Sequence, residues 1–162
     1  MRIIKNNYKA ISNNNSLLSY IVQVIINRIL FIRVCEARRL EEKHLLANFQ
    51  KEGFWEEFKK SSYLNFHYHY DGPLFERIDI INNLIIDNEV FDGLLSHLYY
   101  PSPYRFDVIP TKLLGDIYEI FLSKKLILNE GVVLDTLKTE YIKSKGAVTT
   151  PQFLVDDIIK RT

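Results

Sequence analysis

The sequence predicts a mainly α fold, a helical bundle or connector with a small β hairpin near its C-terminus. Two observations carry the helical part. From Ser16 to about Leu40 an apolar run continues without glycine or proline, longer than an ordinary strand allows. Further along, two stripes recur at helical spacing: Val90, Phe91, Leu94, Leu95 and Leu98, then Leu113, Leu114, Ile117, Tyr118, Phe121 and Leu122. The hairpin rests on a third observation, the β-branched pieces Val132 to Leu134 and Thr139 to Ile142, with Asp135 to Lys138 between them.

In chain order, Met1 to Asn15 reads as a loose start, because Asn6, Asn7, Asn13, Asn14 and Asn15 favour turns. The helix that follows is apolar nearly all round, with Ser19, Gln23 and Asn27 as a narrow polar stripe. Such a helix belongs at the centre of a bundle. Two short helices broken at Gly53 are predicted for Glu41 to Ser62, the second presenting Phe54 and Phe58 on one face. Tyr63 to Tyr70 is rich in aromatics and contains His67 and His69, which would share a face if the segment were a strand. Asp71-Gly72-Pro73 reads as a turn. A helix from Asp87 to Tyr100 ends at Pro101, and Tyr104 to Ile109 is predicted as an extended approach to the helix opened by Pro110 and Thr111. The last helix starts at Thr150 and Pro151, a good cap followed by a residue suited to the first turn. It carries Phe153, Leu154, Val155, Ile158 and Ile159 on its apolar face.

The chain has 162 residues, 47% of them apolar, enough for one domain that buries roughly two-thirds of its unfolded surface. Three segments are expected: 1–15 as a flexible start, 16–128 as the helical domain, and 129–162 as hairpin, loop and helix. A net charge of +1 makes no general electrostatic case for nucleic acid or an anionic membrane, so any such contact must come from local patches. The single cysteine, Cys35, excludes an internal disulfide and points to a reducing compartment, hence a cytoplasmic location. In its apolar setting it reads as a small buried hydrophobe rather than a reactive thiol. No signal peptide is expected, since Met1 to Ser16 lacks an apolar block. Gln23, Asn27 and Arg28 interrupt the run from Leu17 to Leu30, which falls short of the ~20 residues of a membrane span. No membrane partner is expected.

The missing motifs limit the chemistry. The six glycines, at 53, 72, 93, 115, 131 and 146, are widely separated, so there is no glycine-rich loop for phosphates or adenosine. His67 and His69 lack the further ligands of a zinc centre, although Asp71 lies near in sequence. Glu57-Phe58-Lys59 matches the second half of a metal-dependent nuclease site. No aspartate precedes Asp71 to supply the first half. Ser96 and His97 are neighbours on a helix and face different ways, without the tight turn that exposes a nucleophile. No catalytic residue and no metal site is assigned.

Four ordered motifs carry a family resemblance. They are Asn27-Arg28-Ile29-Leu30-Phe31 with Glu36-Ala37-Arg38; Tyr70-Asp71-Gly72-Pro73-Leu74-Phe75; Phe106-Asp107-Val108-Ile109 with Leu114-Gly115-Asp116-Ile117-Tyr118-Glu119-Ile120-Phe121-Leu122; and Gly146 followed by Thr150-Pro151. Together they resemble the N-terminal helical region of adenine-specific DNA methyltransferases of the fused type II restriction-modification kind. Glu36 and Arg39 lie one turn apart and are expected to pair, with Arg28 and Arg33 reaching partners at the helix surface.

The resemblance implies a non-catalytic part that supports a methyltransferase core and contacts DNA in the complete protein. It also implies that the loop Gly146, Ala147, Val148, Thr149, Thr150 and Pro151 lines one side of an S-adenosylmethionine site there. Val148 and Thr149 stand where the family has aromatic residues. The family's glycine-rich cofactor strand and its Asn/Asp-Pro-Pro-Tyr motif are absent, so the isolated chain is expected neither to bind the cofactor nor to methylate. The alternative is a stand-alone helical module that docks a partner through its last helix.

Overall fold

The computed structural model describes residues 14–70, 73–101, 105–110, 124–129, 132–137 and 152–161. The fold is mainly α. Its axis is α1, Asn15–Ala37, whose first turn is capped by the Asn14 side chain accepting from the Leu17 N–H at 2.9 Å. Ile21, Ile25, Ile29 and Ile32 form its buried face, while Val22, Val24, Leu30 and Phe31 are half-buried against the same core. Among the described residues α1 is long and apolar enough, by length and composition, to cross a membrane. It is thus longer than the interrupted run suggests. Its interior charges show what it packs against: Arg28 and Glu36 are both buried and both bonded within the protein.

The two short helices form as expected, α2 at Leu45–Glu52 and α3 at Phe54–Ser61. Gly53 separates them at φ 107°, a backbone conformation that a side chain strains. Helix α3 brings Phe54, Trp55 and Phe58 into the core, where Phe54 stacks on Phe91 at 4.3 Å and the Trp55 indole N–H donates to the Leu84 carbonyl at 2.8 Å. The chain then continues helically, through a π turn at Ser62–Phe66 into α4, His67–Tyr70. The extended alternative for this segment is therefore wrong. Phe66 must reach Phe75 in the core, and helical winding places it there while His67 and His69 fall on different sides.

A 3-10 turn at Pro73–Phe75 and a single turn α5 at Asp79–Asn82 lead to α6, Glu89–Leu98. Phe91, Leu95 and Leu98 bury the expected stripe. Arg105 to Val108 forms a turn rather than an extended strand, with the Val108 N–H bonded to the Arg105 carbonyl at 3.2 Å. This turn puts Phe106 into the core and leaves Arg105 and Asp107 outside as a pair. The helix expected over 111–122 lies outside the described residues.

The hairpin exists, but earlier in the chain than predicted. Strand β1, Lys124–Asn129, pairs antiparallel with β2, Val132–Leu137, with Leu126 opposite Asp135 and Asn129 opposite Val132. The expected turn residues Asp135 to Leu137 are thus inside a strand. What places β1 is α1: the Leu126 N–H donates to the Ser19 hydroxyl at 2.8 Å. Ser19 belongs to the polar stripe of an otherwise apolar helix, and so the stripe is where the hairpin attaches. The last helix, α7, spans Gln152–Arg161.

Candidate functional site

None of the loop residues Gly146, Ala147, Val148, Thr149, Thr150 and Pro151 lies among the described residues. The charged motif of α1 does, and it shows how this sequence uses its arginines. Arg28 is 1% exposed, its Nε donating to the Leu74 carbonyl and its Nη2 to the Glu76 carbonyl, both at 2.6 Å. The guanidinium also lies 5.8 Å from the ring centres of Tyr63 and Phe75. Burial lowers its pKa from the ordinary value, against the hydrogen bond and charge of Tyr63. The expected surface contact of Arg28 is therefore corrected to an interior clamp, fastening the Pro73–Phe75 turn to α1. The two motifs Asn27–Arg38 and Tyr70–Phe75 are joined through this side chain.

At the C-terminal end of α1 lies a half-open cleft of about 710 Å³. Its floor is Glu36, whose carboxylate accepts from the Leu46 N–H at 2.8 Å and from the Tyr99 hydroxyl at 2.7 and 2.8 Å. Arg33, not Arg39, is its ion-pair partner, at 3.5 Å. Arg39 cannot follow the helical spacing because the helix has already ended, and its φ of 61° carries the chain into a left-handed turn. Arg33 also donates to the Leu98 carbonyl at 2.8 Å and lies over the rings of Tyr99 at 4.6 Å and Phe106 at 5.0 Å. Burial pushes the Glu36 carboxyl above its ordinary range, against the Leu46, Tyr99 and Arg33 interactions. Tyr99 is pushed up in turn by burial and by its bond to Glu36. Both oxygens of Glu36 already accept from the protein, which makes it a tie between α1, α2 and the end of α6.

Glu57, Lys59 and Cys35 are occupied by neighbouring groups. Lys59 pairs with Glu56 at 2.8 Å and donates to the Asn82 carbonyl, while Glu57 faces Lys60 at 3.6 Å, so Glu57-Phe58-Lys59 is spent on α3 and its neighbour. Cys35 is buried beside Tyr70, and burial raises its thiol pKa, as befits an inert thiol. The cleft residues Arg39, Lys43, His44 and Tyr99 carry no motif. Their proximity depends on Glu36 meeting Tyr99 across 63 positions, which no local spacing reveals.

Over 166 aligned residues, 99% of this chain, the sequence is 37% identical to "Type II restriction enzyme and methyltransferase RM.Eco57I" of Escherichia coli. The chain is a relative of a fused restriction-modification enzyme. It spans 16% of the length of RM.Eco57I, so the similarity covers nearly all of this chain and a small part of the relative. No protein-family profile matches the chain, and no solved structure matches it.

Proposed function

We propose that this chain acts as the non-catalytic N-terminal helical connector of an S-adenosylmethionine-dependent, adenine-specific DNA methyltransferase of the fused restriction-modification type. The observation that carries this reading is 37% identity to RM.Eco57I over 99% of the chain. The geometry supports a scaffolding role: Arg28, Arg33 and Glu36 hold turns and neighbouring helices together. In this reading residues 16–128 form the helical domain and 129–162 lead toward a methyltransferase core, with 1–15 as a flexible start. The loop from Gly146 to Pro151 then forms one wall of the cofactor site in the complete protein. DNA and the methyltransferase core are its partners, and it works in the cytoplasm.

Antibody capture of the native product from its source cell, followed by intact-mass measurement, tests this. The expected result is a mass far above 19.1 kDa, or a 19.1 kDa chain held by a methyltransferase. A 19.1 kDa product with no methyltransferase attached overturns the proposal, and so does methyl transfer by the isolated chain.

The second reading, a separate helical subunit acting in trans, is favoured by α7. Phe153, Ile158 and Ile159 on that helix are each at least 60% exposed. Deleting 151–162 would abolish capture of the methyltransferase by a separate subunit; unchanged capture counts against that form.

A further inference from the structure

The cleft at the end of α1 is lined by a loop, residues 38–44, that is pinned over residues 38–41. The Arg39 and Leu40 N–H groups bond back to the Glu36 and Cys35 carbonyls at 3.1 and 2.9 Å. Glu41 accepts from the Tyr70 hydroxyl at 2.7 Å, and Arg38 donates to the Ile109 carbonyl at 3.0 Å. Two non-glycine residues, Arg39 at φ 61° and His44 at φ 64°, sit in the left-handed region at either end of this loop. Such backbone persists only when its surroundings over-determine it. The loop is therefore a fixed support, and it places Arg39 and Lys43 on the wall of one cleft.

The charges in that cleft do not cancel locally. Glu36 is paired with Arg33 and Asp107 with Arg105 at 2.6 Å, while Glu41 accepts only from the neutral Tyr70 hydroxyl and keeps its charge, which leaves the cleft lining one positive charge in excess. Arg33 and Arg105 are spent in those pairs. Arg39 and Lys43 have no ion-pair partner among the described residues, and Tyr100, which is 97% exposed, lines the same cleft. Two cations without ion-pair partners on one loop, with a phenol donor from Tyr100 lining the same cleft, match the chemistry of a backbone phosphate, which needs positive charge and hydrogen-bond donors but no base-reading groups.

We propose that the Arg39–Lys43 cleft is a sequence-independent clamp for a DNA backbone phosphate. The choice of DNA over other phosphate carriers rests on the function proposed above; the phosphate chemistry rests on the cleft alone. The clamp positions a duplex and does not select its sequence.

Fluorescence anisotropy of the 162-residue chain on two unrelated 30-base-pair duplexes, across a salt series, tests this. The R39Q/K43Q double variant is compared with K51Q/K60Q, which removes the same charge on α2 and α3. R39Q/K43Q is expected to weaken both duplexes at least tenfold and to reduce the log–log salt slope by about 1, while K51Q/K60Q changes affinity less than threefold. Equal losses in the two double variants, no loss in R39Q/K43Q, or no binding by the natural chain overturns the clamp. Binding of inorganic pyrophosphate without duplex binding, lost in R39Q/K43Q, overturns the DNA assignment and identifies a free phosphate ligand. All of these outcomes are independent of the native product's mass, so the clamp can fail while the connector reading stands.

Discussion

Arg28 is a buried cation with two carbonyl acceptors, and it ties the Pro73–Phe75 turn to α1. Truncation to alanine leaves the Leu74 and Glu76 carbonyls without their donor and opens a cavity between Tyr63 and Phe75. The expected cost of R28A is about 2–4 kcal/mol, read as a lower urea midpoint with an unchanged slope.

Glu36 gives a pH signature of the opposite sign from the usual carboxylate. Its folded pKa is raised by burial above the ordinary 4.5, so the folded state binds this proton more tightly than the unfolded state. Stability from this group is therefore greatest at low pH and falls as pH rises from 4.5 through the raised folded value. Melting temperatures taken from pH 4.5 to 8 should show that decline in the natural chain, and E36Q should remove this part of it. An identical pH dependence in E36Q would contradict the assignment. Sequence spacing identified Arg28, Arg33 and Glu36 as a charged set. It assigned the wrong partners because a partner such as the Leu74 carbonyl is distant in the chain and carries no sequence mark.

At the scale of elements, two junctions can be tested separately. A Cβ at Gly53 would meet nothing closer than the Asn88 amide at 3.6 Å, an ordinary contact, so space is not the obstacle there. The obstacle is φ. G53A is expected to destabilise the α2–α3 corner by about 1–3 kcal/mol, measured by denaturant unfolding. The second junction is Ser19 with Leu126. S19A removes the acceptor that fixes β1 on α1, and hydrogen exchange should show faster exchange of the Leu126 amide with the α3 amides unchanged. Both elements were legible in the sequence, Gly53 as a break and Ser19 as part of a stripe. The hairpin's position was not, because Val and Ile content marks several stretches equally and contact with α1 selects among them.

For the whole molecule, the contrast lies between a helical body with an aromatic interior and a terminal helix with an open apolar face. Residues Phe54, Trp55, Phe58 and Phe91 form a stacked group, and Phe66, Tyr70 and Phe75 another beside α1. None of this depends on α7. I158D/I159D should leave the unfolding midpoint of the body within the ~0.5 kcal/mol of ordinary surface substitutions. A large drop in that midpoint would mean that α7 is part of the same core.

By itself the sequence determined the mainly α class, the helical state of α1, the break at Gly53, the stripe of α6 and the relationship to restriction-modification proteins. These follow from local periodicity, backbone preference and ordered motifs, all of which are carried by neighbouring residues. Tertiary structure alone decided that Arg28 lies inside, that Glu36 pairs with Arg33 and Tyr99, that the His67 segment is helical, and that β1 docks at Ser19. Each of those outcomes depends on which distant group arrives at a polar atom being withdrawn from water. That choice is made by packing, and periodicity in the chain does not encode it.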